Sequence, residues 1–149
     1  MHKLHFTIHI NAPREKVWNT MLEDATYRQW TSIFSPGSRF EGSWDEGSKI
    51  VFLGDGEEGK ESGMVATIAE NRPLEFVSIK HLGMINDGVE DTESEEVKSW
   101  VGAREEYTLR DVDGGTDVEI DVDTTEEYEE DFGEMWPKAL QRLKELAEQ

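Results

Sequence analysis

The sequence predicts an α+β fold, with an antiparallel sheet of about seven strands packed against a long C-terminal helix and two short helices after the first strand. Three observations lead there. Residues 3–10 alternate strictly between apolar and polar. Further strand-like runs follow in pairs, each pair divided by a turn sequence. Residues 128–146 carry apolar side chains at helical spacing.

In the first strand Leu4, Phe6, Ile8 and Ile10 share one face, and Lys3, His5, Thr7 and His9 share the other. Period two marks a strand with one wet side. Asn11-Ala12-Pro13 closes it and opens a helix, with Pro13 at the first helical position. Val17 with Met21 and Trp18 with Leu22 make i,i+4 apolar pairs there. Asp24 is placed to cap a second short helix carrying Tyr27 and Trp30, and Pro36-Gly37 ends the segment.

Strands are predicted at 39–44 and 48–54 around Asp45-Glu46-Gly47, and at 61–70 and 74–81 around Asn71-Arg72-Pro73. Another pair, 99–110 and 116–123, flanks Asp113-Gly114-Gly115, which suits the positive φ angles of a tight hairpin. Short connections favour an antiparallel meander. Between the last two pairs, residues 82–98 hold Gly83, Asn86 and Gly88 among six acidic side chains, Asp87, Glu90, Asp91, Glu93, Glu95 and Glu96. This stretch reads as a mobile, solvated loop.

The last helix begins after Thr124 or Thr125 as N-cap, with acidic residues in its first turn complementing the helix dipole. Its stripe comprises Tyr128, Phe132, Met135, Trp136, Ala139, Leu140, Leu143 and Leu146. Pro137 lies inside the stripe and presses on the turn that holds Gly133, which has no side chain to worsen the clash. A single helix kinked near 133–137 is expected. The 149 residues suit one domain, 1–149.

Composition narrows the function classes. Asp and Glu number 34 against 15 Lys and Arg, a formal net charge of −19. A field of that sign repels phosphate backbones and anionic membranes, so neither nucleic acid nor membrane is an expected partner. With no cysteine there is no disulfide framework and no thiolate zinc site. The N-terminal alternation lacks the continuous apolar stretch of a signal peptide, and a cytoplasmic location is expected. His5 and His9 stand about 13 Å apart along a strand, too far to share a metal. Asp111–Asp117 departs from a calcium loop, with Thr116 where that loop needs Gly and Val122 where it needs a bidentate Glu, and reads as a hairpin.

Four stretches carry a resemblance. INAPREKVW at 10–18, YRQW at 27–30, GGTDVEI at 114–120 and MWPKALQRLKEL at 135–146, in that order, resemble the START-like helix-grip fold of the SRPBCC superfamily. The nearest group is that of the homologues of the activator of heat-shock protein 90 ATPase. The resemblance implies a curved sheet gripping the long helix, with a cavity between them in which many relatives bind apolar small molecules.

Five Trp stand in a chain that is 36% hydrophobic. Core packing alone accounts for an aromatic residue at any one position. The implied cavity adds a second role, for which Phe34, Trp44, Phe52, Met84, Trp100, Tyr107, Phe132, Met135 and Trp136 are the candidate lining residues. Phe132, Met135 and Trp136 lie near the expected kink, and Met84 and Trp100 flank the loop, which could serve as a lid. Glu105 shares strand parity with Tyr107, where a desolvated carboxylate would suit acid–base chemistry. An exposed charge at a bulge or strand end is the expectation for it. His81 closes a strand with no partnered nucleophile in view.

The expected function is therefore non-catalytic binding of a small apolar, aromatic or lipid-like molecule, with no cofactor, no metal and no catalytic residue assigned. Two alternatives remain open: a regulatory protein-interaction domain akin to the chaperone activators, with an unidentified protein partner, and a polyketide-cyclase-like enzyme using His81, Glu105 and Tyr107. A monomer or a homodimer is expected.

Overall fold

The computed structural model describes residues 1–149, the side chain of Glu57 excepted. Strand β1 (His2–Ile10) leads into helices α1 (Arg14–Leu22) and α2 (Asp24–Trp30) and a short 3-10 turn over Thr31–Ile33. Strands β2 (Arg39–Gly42), β3 (Lys49–Asp55), β4 (Glu61–Arg72), β5 (Phe76–Asn86) and β6 (Val89–Asp91) follow. Helix α3 (Glu95–Lys98), strands β7 (Arg104–Val112) and β8 (Gly115–Thr124) and helix α4 (Glu126–Ala147) complete the chain. All strands join one curved antiparallel sheet in the order β1-β8-β7-β5-β4-β3-β2, with β6 paired to β5. This is the helix-grip arrangement.

Burial explains the pairing. Ile10, Ile68, Ile79, Val118 and Ile120 from the sheet meet Val17, Met21 and Trp30 of the short helices and Trp136, Ala139 and Leu143 of α4 in one core. The opposite face of β8 carries the acidic parity, and β1 answers it across the ladder. His5 Nδ1 lies 2.8 Å from Asp121 and His9 Nδ1 lies 2.6 Å from Asp117. On the other side Arg110 meets Glu119 at 2.6 Å. Such part-exposed pairs contribute little each, about 0–1 kcal/mol.

Several boundaries differ from the sequence reading. Asp24 is the first residue of α2 instead of its cap, and pairs with Arg28 at 3.0 Å. The β4–β5 turn falls at Pro73-Leu74, two residues late, with Glu75 N–H donating to the Arg72 carbonyl at 2.9 Å and Leu74 at φ +70°. The position takes a positive φ without a glycine to announce it. Thr125 holds the N-cap position of α4, yet its hydroxyl makes no capping bond.

Residues 82–98 overturn the expectation of an irregular loop. β5 runs on to Asn86, Asp87 and Gly88 turn back at φ +50° and +78°, and β6 pairs with the end of β5. Asp91 then accepts the N–H groups of Ser94 and Glu93 at 3.0 and 3.2 Å, and Ser94 Oγ accepts from Val97 N–H at 3.3 Å to cap α3. The bonds from Ser94, first, hold the Asp91 carboxyl below its ordinary range. Val97 is fully buried. Elements of three and four residues show no periodicity, and local side-chain caps set them.

α4 is one continuous helix with Pro137 inside it. Its absent hydrogen bond belongs to the 133 carbonyl, while a Cβ built on Gly133 meets nothing within 4 Å. Gly133 is therefore not required to relieve the proline, contrary to the sequence argument. Gly133→Ala is expected to raise unfolding free energy by about 0.5–1 kcal/mol, measured by denaturant titration.

Candidate functional site

A cavity of about 450 Å³ lies between α4, the α2 segment and the concave sheet. Its apolar wall is largely aromatic. Trp136 on α4 packs 4.9 Å from Phe34, 6.0 Å from Trp30 and 6.2 Å from Tyr107. Trp30 is fully buried and its indole N–H donates to the Met21 carbonyl at 3.1 Å, which ties α2 to the end of α1. Phe132 lies one turn before Trp136 on the same face. Met1, Glu96 and Tyr128 line the exposed end of the cavity.

The sheet wall depends on a bulge. Ala66 pairs with His81 and Val65 with Gly83, leaving Leu82 without a partner. An extra residue reverses the alternation beyond it. His81 before the bulge and Met84 after it therefore both line the cavity, although strict period two would set them on opposite faces.

Seven of the nine residues proposed from sequence line this space: Phe34, Phe52, Met84, Trp100, Tyr107, Phe132 and Trp136. Trp44 does not. β2 stops at Gly42, and the Trp44 ring packs behind the wall, 5.4 Å from Phe40 and 5.7 Å from Phe52. Met135 does not either, because it is rotated about 100° from Trp136 around the helix. Met84 stands in β5 and not in a loop. The sequence reading left out Tyr27 and Trp30 as lining residues, though their i,i+3 spacing on one helix face was a usable signal.

One polar cluster stands on the wall. The Tyr107 hydroxyl donates to Glu105 Oε2, and His81 Nε2 lies 3.5 Å from Glu105 Oε1. Glu105 thus faces the cavity and is not the exposed charge expected. β7 begins at Arg104 with no displacement before Glu105, so Glu105 keeps the inward parity of Tyr107. Arg104 and Glu106 take the other face, where both reach Ser78 Oγ, at 3.0 and 2.7 Å. His81 Nδ1 is buried without a hydrogen-bond partner among the described residues. These same residues contain no group of three His, Asp or Glu placed to hold a metal ion.

Burial first, and the Glu105 charge second, push the Tyr27 and Tyr107 hydroxyls well above their ordinary pKa. Both stay protonated at neutral pH, and Tyr107 remains a donor to the carboxylate. A neutral form favoured by folding stabilises the fold below the unfolded pKa, and that stabilisation is lost as pH rises through the folded value. Of the three tyrosines, only Tyr128 is exposed. Alkaline titration followed by tyrosinate absorbance is expected to ionise Tyr128 alone in the folded protein, with the other two appearing together at unfolding. Three independent tyrosines titrating before unfolding would contradict this burial.

Comparison with known proteins supplies kinship. The family model described as Activator of Hsp90 ATPase homolog 1-like protein matches residues 11–148. No curated protein matches the chain. A solved protein of Nitrosomonas europaea superposes with a TM-score of 0.72 at 15% identity, over 97% of this chain and 92% of that one. The Aha1 dimer from Colwellia psychrerythraea, a solution structure, gives 0.71 at 20% identity, over 99% and 97%. A protein of Chromobacterium violaceum gives 0.70 at 18% identity, over 100% and 99%. At these identities the likeness is one of fold.

Proposed function

The chain belongs to the Activator of Hsp90 ATPase homolog 1-like family, and from that premise we propose that it binds a small, largely apolar molecule, without transforming it, between α4 and the sheet. The family and its structural neighbours support a ligand-binding or regulatory fold. The observation that carries the finer reading is the cavity volume. About 450 Å³ stays unfilled by the abundant aromatic side chains around it. That falls within the roughly 300–1,000 Å³ usual for small-molecule sites. Residues 1–149 act as one binding unit in this reading.

A thermal-shift screen of neutral aromatic alcohols tests it. A ligand at a hundredfold its Kd stabilises the folded state by about 2.7 kcal/mol. Met84→Trp, which places an indole in the cavity, should abolish the shift while the protein stays folded. A screen with no stabilising compound, or a shift that survives Met84→Trp, would count against cavity binding.

A second reading, a regulatory protein-interaction domain, draws on the family description and on the net charge of −19. A basic partner would be steered to such a surface, with an association rate that falls as salt rises. Recovery of no basic partner at low salt would argue against it.

A further inference from the structure

We propose that the cavity's ligand is an apolar molecule bearing one protonated amine, held by the Glu105 carboxylate. This rests on the cavity-binding reading and deepens it.

The side-chain charge of the lining is one-sided. Among the described residues Glu96, Glu105 and Asp123 line the cavity and no lysine or arginine side chain does, while Met1, which carries the N-terminal ammonium, stands at the exposed end. Asp123 is already engaged, accepting from Arg104 N–H at 2.9 Å and lying 3.4 Å from Lys3. Glu96 is exposed, at the open end. Glu105 is the inner carboxylate, its side chain 22% exposed, and His81 is its one ion-pair partner among the described residues, at 3.5 Å.

The hydrogen-bonding is one-sided as well. Glu105 has only acceptor oxygens, one of them taken by Tyr107. His81 is 9% exposed and lines the cavity beside Glu105. The Glu105 carboxylate thus offers the cavity an acceptor. An ammonium N–H group supplies both the proton and the charge.

The surroundings favour a cation over an anion. The Phe52 ring centroid lies 6.2 Å from that of His81 and 6.1 Å from that of Tyr27, so a charge beside Glu105 and His81 sits among aromatic rings. Aromatic rings attract cations through their quadrupole. The field of the whole chain adds to the same preference. Fatty-acid and phosphate ligands would meet the Glu105 carboxylate, with no lysine or arginine side chain in the described lining to offset it.

The test compares three probes of one shape, phenylbutylamine, phenylbutanol and phenylbutyrate, by quenching of tryptophan fluorescence. Salt at about 0.5 M screens attraction to the outer surface. Phenylbutylamine should bind at least about tenfold more tightly than phenylbutanol, the size expected of a charge-assisted hydrogen bond, with phenylbutyrate weakest. Glu105→Gln should bring the amine down to the alcohol's affinity and leave the alcohol within about twofold. Equal binding of amine and alcohol by the natural chain, tightest binding of phenylbutyrate, or an amine preference that survives Glu105→Gln would overturn the assignment while leaving cavity binding in place. Failure of all three probes to bind would overturn both. The ranking on the natural chain needs no variant, so it decides even where Glu105→Gln does not fold.

Discussion

Trp136→Ala is expected to lower the free energy of unfolding by about 3–5 kcal/mol, the range for deleting a buried large aromatic side chain. Trp136 is 3% exposed and is the point at which α4 meets four other parts of the fold. Its ring touches Phe6 of β1, Trp30 of α2, Phe34 beyond the 3-10 turn and Tyr107 of β7. Alanine leaves all four neighbours facing an enlarged void, and the helix loses its hold on the concave sheet at mid-length. Denaturant titration measures the loss as a lower midpoint at unchanged slope. Trp100→Ala is the useful contrast, since Trp100 is only half-buried and its removal should cost well under half as much. Equal losses for the two would mean that Trp136 is not the hub of the packing.

Gly63→Ala should be nearly as damaging for a different reason. Gly63 pairs with Leu53 across β3 and β4, and a Cβ there would lie 1.7 Å from the Phe52 carbonyl oxygen and 3.0 Å from Leu53 Cα. Both are backbone atoms, so no side chain can rotate away. The two strands must part, which costs about 3 kcal/mol at the upper end of overpacking losses. The same shift would move Phe52, which stands 6.1 Å from Tyr27 in the cavity wall. Weaker probe binding should therefore accompany the lower denaturation midpoint. A variant as stable as the natural chain would show that β3 and β4 part at Gly63 with little cost.

How much of this was legible beforehand differs from element to element. β1 and β8 carried a period-two signal strong enough to give both their position and their buried faces, because each has one wet side. α4 was legible from its stripe, and Asp113-Gly114 from the positive φ that the hairpin requires, observed at +49° and +78°. β6 and α3 were not, since they rest on single caps and a two-residue turn. The cavity was legible only through resemblance. Aromatic composition said that large side chains were available, and could not say which of them leave a space between them.

Alternation along the chain and the helical stripe were enough to determine an antiparallel sheet, a long helix to cover it and an acidic outer surface. These are one-dimensional properties, since each depends on neighbours within a few residues. The meeting of His81, Glu105 and Tyr107, the turning of Met84 toward the cavity and the crowding at Gly63 belong to the assembled sheet. Each arises between strands: β5 against β7 for the polar cluster, β4 against β5 for the bulge, β3 against β4 for the glycine. Register places residues far apart in sequence at hydrogen-bonding distance, and one unpaired residue at Leu82 reverses which side chains face inward. No pattern along a single strand contains that information.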